Sequence, residues 1–158
     1  MLKLNIKNET SRLRSVILGT AKSSGPIPKV EEAYDPKSRE NIIAGTYPNE
    51  EDMIKEMEAV AAVFNKYNIE VFRPEIIKDY NQIFARDIAL VIDDYIIDCN
   101  ILPDREKEIE AIRYVLDQIA PDKILRLPKE AHIEGGDVIP HNEYILIGTY
   151  TGKDYSDY

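Results

Sequence analysis

Tryptophan is missing from the 158 residues, cysteine occurs once, and histidine only twice. A single cysteine excludes an internal disulfide, which fits a reducing compartment. One thiol and two dispersed imidazoles do not supply the ligand spacing of a zinc site, so neither a metal nor a cofactor is expected. No apolar run approaches the roughly 18 residues of a membrane span, and no signal-peptide core follows Met1. A cytoplasmic protein without a membrane partner is the expectation. Positive charge is also short, with 20 Lys and Arg against 29 Asp and Glu, a formal charge of −9. That balance excludes nucleic acid as a partner, because phosphate binding needs clustered cations. It favours a cationic ligand through electrostatic steering.

What is present reads as one soluble globular domain. Hydrophobic residues make up 44% and charged residues 31%, and the length suffices for a single core. Leu2–Lys7 alternates apolar and polar, and Leu13–Leu18 reads as a buried strand closed by Gly19-Thr20. Ala21–Tyr47, rich in proline and glycine, reads as a long loop and a candidate flap. Asn49 is a good N-cap for a helix through Tyr67. Glu50, Glu51 and Asp52 suit its positive end, and Met53, Met57, Val60, Ala61, Phe64 and Tyr67 share one face. A short strand, Glu70–Phe72, ends at Arg73-Pro74. The stretch Asn81–Asp87 then leads into a hairpin, Ile88–Ile92 and Tyr95–Asp98. Pro103-Asp104 opens a second helix with Ile109, Ile112, Leu116 and Ile119 on one face and Pro121 as its stop. Strand Lys123–Leu127, the acidic turn Glu134-Gly135-Gly136-Asp137 and a second hairpin (Val138–Ile139 with Tyr144–Ile147) follow.

This order contains a repeat. Helix, short strand, proline loop, acidic turn and hairpin occur from Asn49 to Asp98 and again from Asp104 to Gly148. Asp87 precedes Tyr95, and Asp137 precedes Tyr144, at nearly the same spacing. Ile17-Leu18-Gly19-Thr20 likewise echoes Leu146-Ile147-Gly148-Thr149. A period near fifty residues marks a supersecondary unit used more than once, so equivalent loops gather in one place. Glu134 and Asp137 flank two glycines that let the backbone approach another group closely. Carboxylates on such turns suit a guanidinium, which never deprotonates and takes carboxylates bidentately. An ordinary Gly-Gly turn with its acids facing water is the competing reading.

Phe84-Ala85-Arg86-Asp87, taken with Glu134-Gly135-Gly136-Asp137, resembles the guanidino-group-modifying superfamily. Its members are arginine deiminases, dimethylarginine dimethylaminohydrolases and amidinotransferases. Ala85-Arg86-Asp87-Ile88 with Tyr95-Ile96-Ile97-Asp98 looks most like the amidinotransferase branch. The resemblance implies the pentein fold, an α/β pseudo-fivefold propeller of ββαβ modules, of which this chain would hold about two and a half. It further implies a nucleophilic cysteine and its histidine in a second half of similar length, so residues 1–158 would be the N-terminal part of one pentein domain.

By the same resemblance the reaction is thiolate attack on a guanidinium carbon, forming a covalent amidino-enzyme that water or an amine resolves. Asp87 and Glu134 are the catalytic and substrate-gripping acids. Glu134 would also orient the catalytic histidine. Phe84 forms a hydrophobic wall, Asn81 supplies a further polar contact, and Asp137 closes its turn and serves as a weaker ligand. The expected partners are an arginine-like guanidino compound and either the missing C-terminal half or a second copy. Cys99 reads as a buried structural residue, because no cation stands beside it in sequence. His132 reads as local structure and His141 as a solvated turn residue. A non-catalytic binding or structural module on the same repeat is the alternative, since fold does not fix function.

Overall fold

The computed structural model describes residues 1–33, 36–101 and 103–149. The tyrosines near the C-terminus, expected to pack at module seams, lie outside the described residues. Among the described residues, three small sheets carry the chain. β1 (Ser15–Ile17) runs parallel to β2 (Glu70–Phe72), with Val16 opposite Val71. β3 (Ala89–Ile92) and β4 (Tyr95–Asp98) form an antiparallel hairpin, and β4 also pairs in parallel with β5 (Ile124–Arg126). β6 (Val138–His141) and β7 (Tyr144–Ile147) form a second antiparallel hairpin. Parallel strands need a long crossover. Here helical segments supply one between β1 and β2 and another between β4 and β5. Ala89–Arg126 is therefore one ββαβ unit. Among the described residues the sheets stay separate and none closes.

The crossover from β1 to β2 holds α1 (Pro36–Ile43) and α2 (Glu50–Lys66). α2 starts as its sequence dictates, with the Asn49 side chain accepting the Asp52 N–H at 2.9 Å. Met53, Met57, Ala61 and Phe64 turn inward, whereas Val60 and Tyr67, expected on the same face, stay exposed. α1 was not expected inside the loop Ala21–Tyr47. Proline at its first position carries no N–H to leave unpaired. Gly45, at φ +66°, closes it by donating to the Ile42 carbonyl. The start of the same stretch is packed rather than free, with Ala21 and Ala33 buried and Ser23 hydrogen-bonded to Asp79 and Tyr80.

The second helix is also broken up. Pro103–Glu108 and Glu110–Ile112 are 3₁₀ turns, and only Arg113–Leu116 (α4) is α-helical. One cause is visible at Ala111, whose carbonyl accepts the Glu75 N–H at 2.8 Å. The inward face survives the change. Ile112, Leu116 and Ile119 pack with Ile88 and Ile96 in the main core, flanked by Leu2, Leu4 and Ile17. Burying each such side chain contributes about 1.5–3 kcal/mol. A smaller cluster of Leu90, Cys99 and Val138 links the two hairpins.

Leu2–Lys7, which alternates apolar and polar, crosses the hairpin tips. Ile6 exchanges two backbone bonds with Asp93, and Lys7 accepts the Asn142 N–H. Both tip residues, Asp93 and Asn142, have positive φ, which short polar side chains tolerate. Among the described residues no helix is long and apolar enough to cross a membrane.

Candidate functional site

Each hairpin is preceded by a tight helical turn. The first is α3 (Ala85–Ile88), in which the Asp87 N–H bonds to the Phe84 carbonyl at 3.0 Å. The second is the 3₁₀ turn Gly135–Asp137, in which the Asp137 N–H bonds to the Glu134 carbonyl, also at 3.0 Å. The repeated element thus aligns Phe84 with Glu134 and Asp87 with Asp137.

Arg86 fastens the two turns together. Its Nε donates to the Gly135 carbonyl at 3.1 Å and its Nη2 to the Val138 carbonyl at 2.8 Å, and it pairs with Glu9. The turns are in such close contact that a Cβ on Gly135 would lie 2.0 Å from the Arg86 carbonyl oxygen. One on Gly136 would lie 2.9 Å from Asp87 Oδ1. The paired glycines are needed for this approach of one turn to the other.

The approach brings Asp87 and Glu134 to one point, although they lie in different repeats. Asp87 Oδ2 is 2.9 Å and Glu134 Oε1 3.4 Å from the same nitrogen, Nη1 of Arg105. The rest of that guanidinium is also held. Nε and Nη2 fork onto Glu108 at 2.7 and 3.2 Å, and Nη2 donates to the Phe84 carbonyl at 3.2 Å. The Phe84 ring centroid stands 6.0 Å from the guanidinium carbon, within cation–π range. In the tight 3₁₀ coil residues three apart eclipse, so Arg105 and Glu108 stack into this fork.

The electrostatics follow from burial and crowding of charge. Burial pushes the Glu134 carboxyl above its ordinary value and the Asp87 charge adds to this, against the opposing pull of Arg105. Burial raises Glu108 as well, partly offset by its hydrogen bond to Arg105. Arg105 is held above the ordinary arginine value, since its bonds to Glu108 and Asp87 outweigh the burial that would lower it. The Cys99 thiol is pushed up to about 12, mainly by burial and then by the charges of Asp98, Asp87 and Glu134. A thiol in that state is inert at neutral pH.

The other residues singled out by the sequence are dispersed. Phe84 is exposed beside the cradle. Asn81 is exposed, and its side chain accepts the Ile83 N–H at 3.1 Å. Asp137 is exposed, and its carbonyl accepts the Gly148 N–H at 2.8 Å, joining its turn to the end of β7. His132 is exposed in the approach to the second turn, and His141 ends β6 rather than sitting in the hairpin tip. Sequence reasoning missed Arg86, Arg105 and Glu108. The available signal was an arginine and a glutamate three apart in a segment whose other face is apolar. A cleft of about 990 Å³ is lined by the N-terminal segment, β1, Arg86 and Val138, but not by Asp87 or Glu134.

No protein-family model matches the sequence, and no curated protein matches it. Solved structures do. An inosamine-phosphate amidinotransferase from Streptomyces griseus superposes with a TM-score of 0.63 at 20% identity, over 87% of this chain and 52% of its own. An amidinotransferase of the saxitoxin biosynthetic pathway from Microseira wollei gives 0.61 at 19% identity, with the same coverage. A DDAH from Pseudomonas aeruginosa, complexed with citrulline, gives 0.60 at 14% identity, over 87% of this chain and 50% of its own. This chain spans about half the length of the solved chains it matches, and over that half it shares the fold of amidinotransferases and dimethylarginine dimethylaminohydrolases.

Proposed function

We propose that residues 1–158 are the N-terminal part of a single pentein-type domain and carry the acidic half of a guanidino-group-modifying site. The observation that carries this reading is the convergence of Asp87 and Glu134, from different repeats, on one guanidinium nitrogen. The cradle is of the right chemistry for an arginine-like ligand. Two carboxylates orient and neutralise a delocalised cation, and an aromatic ring stands beside it.

In the complete site a cysteine thiolate from the remaining half would bond to the central guanidinium carbon. The bond from that carbon to the leaving nitrogen then breaks, and the nitrogen departs protonated. Water or an amine resolves the covalent intermediate. Cys99 does not fill that role, because it is buried and its thiol is pushed up to about 12, mainly by that burial and then by nearby negative charge. The same fold-level likeness supports an arginine-like substrate for this chain, and its charge of −9 supports steering of a cation.

The test is calorimetric titration of the chain with arginine and methylguanidinium, followed by Asp87→Asn and Glu134→Gln. Binding that both substitutions abolish supports the reading. Binding indifferent to both, or no binding even when Arg105 is removed, overturns it. One observation favours the non-catalytic alternative: the cradle already holds Arg105, so Asp87 and Glu134 also fit a purely structural ion network. On that alternative Asp87→Asn lowers stability and affects no ligand.

A further inference from the structure

The guanidinium of Arg105 touches each of the three groups that the preceding reading gives to a ligand. It reaches Asp87 at 2.9 Å and Glu134 at 3.4 Å, and it lies beside the ring and carbonyl of Phe84. We propose that Arg105 is a resident competitor for the cradle, so that a guanidino ligand binds only by displacing its Nη1 edge from Asp87 and Glu134. The proposal rests on that reading of the site and adds a regulatory contact to it.

The geometry divides the guanidinium into two edges with different duties. Nε and Nη2 fork onto Glu108, whose side chain is only 2% exposed. Removing that partner would strand a buried carboxylate, which is strongly unfavourable. The fork is therefore the fixed end. Nη1 faces the other way, to Asp87 and Glu134, whose side chains are 18% and 28% exposed. Those two acids are within reach of solvent, and the bond to Glu134 is the longer. Because the guanidinium is a rigid plane, Nη1 leaves by a tilt of the whole group about the Nε–Nη2 fork, which keeps Glu108 paired and opens two carboxylates to an incoming cation.

The backbone beneath suits such a movement. Arg105 sits in the 3₁₀ stretch Pro103–Glu108, and such stretches often mark hinges because their hydrogen bonds are poorly aligned. The charge count also allows exchange. Asp87, Glu108 and Glu134 surround one cation, so a second guanidinium can be taken up while Arg105 stays on Glu108. The consequence is a reduced affinity. A site that is open for only a fraction of the time binds more weakly by that fraction.

Methylguanidinium and arginine are titrated into the 158-residue chain, its Arg105→Ala variant, and an Arg105→Ala/Glu108→Gln double variant that leaves no buried charge unpaired. Should the single variant fail to fold, the double variant carries the test. Methylguanidinium is expected to bind the variant about tenfold more tightly or better. In the unmutated chain, saturating arginine is expected to shift the Nη resonances of Arg105. Equal affinity with and without Arg105, lost on Asp87→Asn, overturns the competitor and leaves the acidic cradle standing. Weaker binding without Arg105 overturns it too, by showing that Arg105 helps to hold the ligand. Nη resonances unmoved at saturation do the same. Absence of binding to every form overturns the cradle itself, and the competitor with it.

Discussion

Arg86 and Gly135 are locked to each other from both sides. The Arg86 side chain donates to the Gly135 carbonyl at 3.1 Å, and the Arg86 carbonyl leaves no room for a side chain on Gly135. This contact joins the two repeats at the point where their acids meet.

Gly135→Ala is therefore expected to be costly. The added carbon would meet backbone rather than a flexible side chain, at 2.0 Å, so the turns must move apart. Overpacking of this kind costs about 1–3 kcal/mol, and the rigid neighbour points to the upper end. Gly136→Ala should behave differently, because its added carbon meets the end of the Asp87 side chain at 2.9 Å. It should weaken guanidino binding more than it lowers stability. Urea unfolding beside ligand titration separates the two, and equal stability losses would contradict this account.

Glu134→Gln is expected to separate stability from binding, with a defined pH dependence. Burial, then the charge of Asp87, raises the Glu134 carboxyl above its ordinary 4.5. A carboxyl with a raised value in the folded state binds its proton more tightly there than when unfolded. Its contribution is thus fully present below about pH 4.5 and lost as pH rises through the raised value. The glutamine variant lacks that loss. Relative to the unmutated chain it should gain stability from pH 4.5 toward 7, while losing guanidino binding. Unfolding midpoints across that range decide it, and a stability difference that does not shift in the variant's favour as pH rises would count against the argument.

Cys99 should be unreactive in the folded chain. The residue is 6% exposed and its thiol is pushed up to about 12, so almost no thiolate exists at pH 8. Iodoacetamide should modify it slowly under native conditions and rapidly in denaturant. Rapid native labelling would reopen Cys99 as a nucleophile.

The close approach of the two turns was readable because glycine and acid speak directly of turns. Glu134-Gly135-Gly136-Asp137 signalled a close approach, and the approach is there, against Arg86 and Asp87. The three-residue spacing of Arg105 and Glu108 was visible, but their segment carries an ordinary helical pattern of apolar residues, which did not single them out. In the 3₁₀ turn they stack into a fork. α1 was hidden for a related reason. Pro36 and Gly45 look like loop punctuation and in fact bound a short helix that buries none of its residues. Leu2–Lys7 has the alternation of a strand, but the hairpin tips offer it only isolated bridges.

The second hairpin leads to the last prediction, self-association of the isolated chain. Tyr144, Ile145, Leu146 and Ile147 are all about half exposed or more, and Ile139 across the hairpin is 44% exposed. Each face of this two-stranded sheet therefore presents large apolar side chains to water. β7 pairs only with β6 among the described residues, so its other edge presents unpaired donors and acceptors. Apolar faces of this kind mark interaction surfaces. In a longer protein the remaining half would cover them, and in the isolated chain a second copy is the nearest substitute. Light scattering after size exclusion should show a mass that rises with concentration. Ile145 and Leu146 point to opposite faces of the strand, so Ile145→Lys and Leu146→Lys probe the faces one at a time. The substitution that returns the chain to a monomer identifies the covered face. A monomer at every concentration, with the hairpin intact by hydrogen exchange, would show that this surface tolerates water and needs no partner.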